Sequence, residues 1–149
     1  SQLLSKGPGD TSRGRELFSK VCANCHKLHG TGASIGPDLT GAERKNRELL
    51  VRNIVDPSAV IRQEFLTHIV ETKDGRNLTG LLAESTADTI TLVDAKNQRT
   101  VLKRNDLEAL HESSVSLMHE KLLDTLSDQK IRDLIGYLQT ENDLSSKGN

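Results

Sequence analysis

Apolar residues in the first third of the chain recur at helical spacing. In "TSRGRELFSKVC" Leu17, Phe18, Val21 and Cys22 fall at i, i+1, i+4 and i+5, one face of a helix. Asp10, Thr11 or Ser12 supplies its N-cap. "HGTGASIGPDLTG" follows, and its glycines and proline predict an irregular loop. "NRELLVRNIVDP" reads as a second helix, capped by Asn46 and stopped before Pro57, with Leu50, Val51, Ile54 and Val55 inward.

From residue 65 the period drops to two. "FLTHIVET" and "NLTGLLAE" flank "KDGR", an Asp-Gly hairpin signal, and "TITLVD" and "RTVLK" flank "AKNQ" in the same manner. "LEALH" adds a candidate fifth strand. Residues 65–112 therefore predict a small antiparallel sheet, with so few large side chains that it needs something to pack on. The helical period returns in "SDQKIRDLIGYLQT", where Ile131, Leu134, Ile135 and Leu138 form one stripe behind a Ser127 N-cap. No internal repeat interrupts this order. The expected class is α+β in one domain over 10–140, after a linker at 1–9 and before a flexible tail at 141–149.

Composition sharpens this picture at one point. The only aromatic residues are Phe18, Phe65 and Tyr137. Rings usually supply much of the buried apolar area, so the core is either weak or completed by something that is not an amino acid. Charge excludes more than it suggests: 20 Lys and Arg against 21 Asp and Glu give −1, which argues against nucleic acid as a partner. No apolar run approaches a membrane span, and "SQLLSKGPGD" lacks the apolar stretch of a signal peptide. Either a targeting segment has been removed, or the chain is a piece of a longer one.

Both cysteines of the chain lie in Cys22-Ala23-Asn24-Cys25-His26. This is C-x-x-C-H, the attachment signature of c-type haem. Two thiols three residues apart on a helical turn reach two vinyl groups on one porphyrin edge, and the adjacent imidazole reaches iron. Three other chemistries compete. A thioredoxin-like pair wants a preceding strand in a βαβ setting, and here a helix precedes. Structural zinc wants four ligands, and His26, His29, His68, His111 and His119 show no paired spacing. A disulfide closing so small a loop stabilises little.

"GRELFSKVCANCHKL", "GPDLTG" and "LIGYL", taken in that order, resemble the class I cytochrome c family. "IVDPSAV", "KDGRNLTGLL", "TITLVD" and "VSLMHEKLLDTLSDQKIRDLIGYL" are similar to the haem-binding domain of planctomycete and verrucomicrobial type. The resemblance covers residues 10 to 140. It implies a cytochrome c-like helical core around one covalent haem c, with the sheet of 65–112 inserted before the distal-ligand loop. In that family the domain usually ends large exported proteins whose upstream parts resemble sugar-dehydrogenase propellers or other modules.

By the same resemblance His26 is the proximal iron ligand, Pro37 offers its carbonyl to the other ring nitrogen, and Leu39 packs on the haem. Met118, the only methionine, corresponds to the distal ligand. The chain departs from the family pattern next to it, carrying His119 where a proline usually follows, which keeps a bis-histidine site open. His29, His68 and His111 read as surface or strand residues. Lys20, Lys27, Arg13 and Arg15 near the attachment helix read as a solvated face. The function implied is single-electron transfer by a non-enzymatic, periplasmic or otherwise exported carrier. Its partners would be a fused or neighbouring dehydrogenase and a respiratory acceptor. The alternative is a haem-based sensor or small-molecule-binding domain with a labile distal ligand. A haem that only staples an interaction module together is a third, non-redox option.

Overall fold

Residues 6–141 are described in this computed structural model; residues 1–5 of the expected linker and 142–149 of the expected tail lie outside them. The chain divides into two compact units. One is Pro57–His119, and the other comprises the described residues on either side, 6–56 and 120–141.

The unit made of 6–56 and 120–141 is helical. Helix α1 spans Thr11–Val21, α2 spans Arg47–Val55 and α3 spans Asp128–Leu138. Each starts at a residue able to satisfy a free backbone donor. The Asp10 carboxylate accepts from Arg13 N at 3.0 Å, Asn46 from Leu49 N at 3.1 Å and Ser127 from Lys130 N at 3.3 Å.

Phe18, Leu28, Leu50, Leu134, Ile135, Tyr137 and Leu138 form the core of this unit, and Cys22 and Leu39 pack against it. Fully burying each of the larger side chains contributes roughly 1.5–3 kcal/mol. Phe18 meets Tyr137 with ring centroids 5.6 Å apart, so two of the three aromatics form one tilted pair. Close approach of α1 to α3 depends on Gly14, where a Cβ would lie 1.9 Å from the Asp133 carbonyl oxygen. Val55 departs from its expected inward position, being 56% exposed. At 3.6 residues per turn it stands roughly 90° from the centre of the stripe made by Leu50, Val51 and Ile54.

The second unit is a five-stranded antiparallel sheet. Its strands are β1 (Thr67–Thr72), β2 (Asn77–Ser85), β3 (Thr89–Val93), β4 (Arg99–Lys103) and β5 (Leu107–Glu112). The spatial order is β4-β3-β2-β1-β5, so the last strand returns to pair with the first. The hairpin turns follow their sequence signals: Gly75 at φ 89° serves the first and Asn97 at φ 62° the second.

Part of the sheet's apolar surface is buried by the sheet's own residues. Val70, Ile90, Leu92 and Leu102 are buried together, with Leu78, Leu82, Leu107 and Leu110 against them, so all five strands contribute to one cluster. Register shifts leave one extra residue in β5, Glu108 opposite Glu71/Thr72, and one in β2, Ala83 between Leu82 and Glu84. Such bulges raise local twist and bring leucines of both edge strands to a common centre. The α+β class is as expected.

Candidate functional site

The site begins where α1 ends. The Cys22 N–H still donates to Phe18 O, and Cys25 and His26 both donate backbone N–H groups to Cys22 O, at 3.1 and 2.9 Å. One further turn is thus wound past the helix, with Cys22 and Cys25 at its two ends. Both are half-buried free thiols. Burial pushes the Cys22 thiol up to about 12, the proximity of Cys25 adding to the effect, and burial raises Cys25 as well. Redox-active C-x-x-C pairs depend on a depressed thiol pKa, so the shift runs against a disulfide-exchange role.

After the turn the chain doubles back. Leu28 and Thr31 exchange backbone hydrogen bonds of 2.9 and 3.1 Å, closing a tight reversal through His29 at φ 52° and Gly30 at φ 83°. Ala33 N donates to Ala23 O, Gly36 N to Cys25 O and Leu39 N to Lys27 O. These three bonds lay the glycine-rich loop along the attachment turn. The Asp38 side chain accepts from Thr40 N at 2.9 Å and starts the short turn Leu39–Gly41. Hydrogen bonds from Thr40, backbone and side chain, hold the Asp38 carboxyl below its usual value.

The folded-back loop fixes the imidazole. His26 Nδ1 lies 2.8 Å from Pro37 O. A carbonyl oxygen only accepts, so Nδ1 carries a proton, and in the neutral ring the lone pair falls to Nε2. Gly36 lies against the ring: a Cβ there would stand 2.6 Å from Cε1 and 2.8 Å from Nδ1. Two thiols one turn apart, an imidazole oriented through Nδ1, and a glycine making room for that ring are a donor set that fits haem c. Zinc finds no comparable set: among the described residues no three or more His, Cys, Asp or Glu side chains gather to hold a metal ion.

A family model described as cytochrome c matches residues 11–58, the span from α1 through α2. The match supports a c-type cytochrome. Members of that family carry electrons on covalently bound haem c, and their domains are typically exported. The five strands and α3 fall outside the matched span. No curated protein matches the chain. Among the described residues no helix is long and apolar enough to cross a membrane.

Cys22, Cys25, His26, Pro37 and Leu39 all come together in the helical unit, and Leu39 is half-buried against its core. Met118 belongs to the sheet-bearing unit, half-buried, with its N–H donating to Ser116 Oγ at 3.1 Å. His119 beside it is exposed. His111 is exposed, and His68 is half-buried with Nδ1 3.2 Å from Leu66 O.

Three residues have more to do than their sequence context suggested. His29, expected at the surface, is half-buried: Nε2 lies 3.3 Å from Thr140 Oγ1 and the ring stands edge-on to Tyr137. Gly36 had only its place before Pro37 to mark it. Asp133 stands off the stripe of Ile131, Leu134, Ile135 and Leu138, and nothing in its sequence context marked it. The side chain is buried and accepts from Asp10 N at 2.7 Å, Arg13 Nε at 2.9 Å and Gln129 Nε2 at 2.8 Å. Arg13 is therefore committed to α3 rather than to a free basic face.

Proposed function

We propose that the chain is a monohaem c-type cytochrome domain that carries single electrons through a covalently held haem, with His26 and Met118 as its axial ligands. The observation that carries this reading is the His26 imidazole, whose Nδ1 is tied to the Pro37 carbonyl at 2.8 Å beside two free thiols. Haem c bound there would supply an iron that gains and loses one electron.

The chain's own residues account for the rest. Cys22 and Cys25 would hold the group covalently from the two ends of one turn. Pro37 O fixes the tautomer and plane of His26, which raises the basicity of Nε2 as a ligand. Gly36 and Leu39 would border the haem that His26 holds. Met118 would place a thioether opposite His26, and its half-buried position beside an exposed His119 favours sulfur over a second imidazole. With His26 and Met118 both bound to iron, no substrate would reach it. This reading makes the domain a carrier rather than an enzyme. Methionine–histidine ligation also favours a comparatively high reduction potential.

The sheet of the second unit then lies in chain order between the proximal and distal ligands. Electrons would come from a fused or neighbouring dehydrogenase and pass to a respiratory acceptor, in the periplasm or another exported setting.

Met118→Ala and His119→Ala variants of the holoprotein test the ligand set. Met118→Ala should lose the long-red sulfur-to-iron charge-transfer band of the ferric form, lower the potential and open ferrous iron to carbon monoxide. His119→Ala should leave all three nearly unchanged. Loss of six-coordination in the His119 variant alone would replace Met118 as ligand. Rapid carbon monoxide binding by the unaltered protein would favour a sensor over a carrier.

A further inference from the structure

The segment that leaves β5 and reaches Met118 has no regular secondary structure, yet one backbone donor bonds back to β1 and three more are taken by serine hydroxyls. Ser113 N donates to Thr67 O at 2.8 Å, at the start of β1. Val115 N donates to Ser113 Oγ at 3.1 Å. Ser116 N donates to Ser58 Oγ at 3.0 Å, and Met118 N to Ser116 Oγ at 3.1 Å. Serine hydroxyls that accept backbone hydrogen bonds in this way offer the chain an alternative to a helix or a ladder, and fix turns in their place.

Of these bonds, the one to Ser58 has a different reach. Ser113 and Ser116 act locally, each bonding two residues on. Ser58 lies 58 residues before Ser116 in the chain, near the start of the unit that opens at Pro57 and closes at His119. It is half-buried, as are Ser116 and Met118. The bond therefore joins the segment that enters the sheet-bearing unit to the segment that leaves it, two residues before Met118.

We propose that Ser58 is a positioning residue for the distal ligand: its hydroxyl holds the Ser116 peptide, and Ser116 in turn orients the Met118 backbone. The sheet is then the frame that carries both ends of this stitch. The inference rests on Met118 as the distal ligand and adds the group that keeps it in place. A ligand on an irregular segment leaves iron as often as its loop loosens. One neutral hydrogen bond changes such an equilibrium by roughly threefold to tenfold.

The test uses the holoprotein with Ser58→Ala, Ser58→Thr, Ser116→Ala and Met118→Ala. It reads the ferric long-red band, the rate of carbon monoxide binding to the ferrous form, and the thermal midpoint. Ser58→Ala should weaken the band and raise the carbon monoxide rate roughly threefold to tenfold, with little change in thermal midpoint. Ser58→Thr retains the oxygen and should restore both readings. Ser116→Ala should act in the same direction as Ser58→Ala, so the proposal stays open to test even where one variant folds poorly. A Ser58→Ala protein matching the unaltered one, while Met118→Ala loses the band, overturns the positioning role and leaves the ligand set intact. Equal losses in Ser58→Ala and Ser58→Thr overturn it too, because the hydroxyl would not be the cause. Retention of the band in Met118→Ala removes the ligand assignment itself, and this inference with it.

Discussion

Gly36→Ala isolates the contact that orients the ligating imidazole. Gly36 does not adopt a positive φ, so alanine meets no backbone penalty there. The consequence is steric. The added methyl would stand 2.6 Å from His26 Cε1, about 0.8 Å inside the 3.4 Å at which ordinary contact begins. Pushing the ring away by that distance would strain the 2.8 Å bond between Nδ1 and Pro37 O, stretching it to at most about 3.6 Å, beyond hydrogen-bond range. Overpacking of this kind costs roughly 1–3 kcal/mol. Losing the outer partner of a metal-binding histidine lowers affinity or activity roughly 10–100-fold. Gly41→Ala is the control, because a Cβ there meets nothing within 4 Å and its φ is not positive. Both variants are made in a host with c-type maturation and compared by holoprotein yield, ferric spectrum and denaturant midpoint. Gly36→Ala should fall below Gly41→Ala in all three. Equality between them would refute the steric argument, and with it the view that the loop at Gly36 and Pro37 sets the imidazole.

Asp133→Asn should lower stability by roughly 1–3 kcal/mol at pH 7, measured by urea unfolding. Burial works to raise the Asp133 carboxyl, but hydrogen bonds from Arg13, Asp10 N and Gln129 outweigh it and hold the group below its usual value. Its contribution is therefore present above the ordinary carboxylate pKa of about 4 and is lost as pH falls through the depressed folded-state value, so the gap between Asp133→Asn and the unaltered protein should close in acid. Gly14→Ala forces a methyl against the Asp133 carbonyl and should destabilise the α1–α3 contact by about 1–3 kcal/mol, read from the shift in denaturant midpoint. Replacing Cys22 and Cys25 together by serine should leave any bound haem extractable into acidic organic solvent, whereas haem from the unaltered holoprotein should stay with the polypeptide. Fractionation of the native host should find the mature holoprotein outside the cytosol.

The short-range features of this protein were written in its sequence because they are short-range in cause. Asp10, Asn46 and Ser127 cap their helices through bonds that span three residues. Asp-Gly in "KDGR" and Asn97 in "AKNQ" supply the left-handed backbone each hairpin turn needs. C-x-x-C-H declares its chemistry in five residues. Spatial relations needed the folded chain. The return of β5 to pair with β1 depends on which edge of the sheet is free, and alternating apolar residues do not encode that. Bulges in β5 and β2 shift the pairing of the strands, and periodicity alone does not reveal where a register slips. The three donors on Asp133, the ring space left by Gly36 and the reach of Ser58 to Ser116 are side-chain meetings that only packing creates. Hydrogen bonds and steric contacts act over a few ångströms, and the chain brings residues that close from opposite ends of its length only after it has folded.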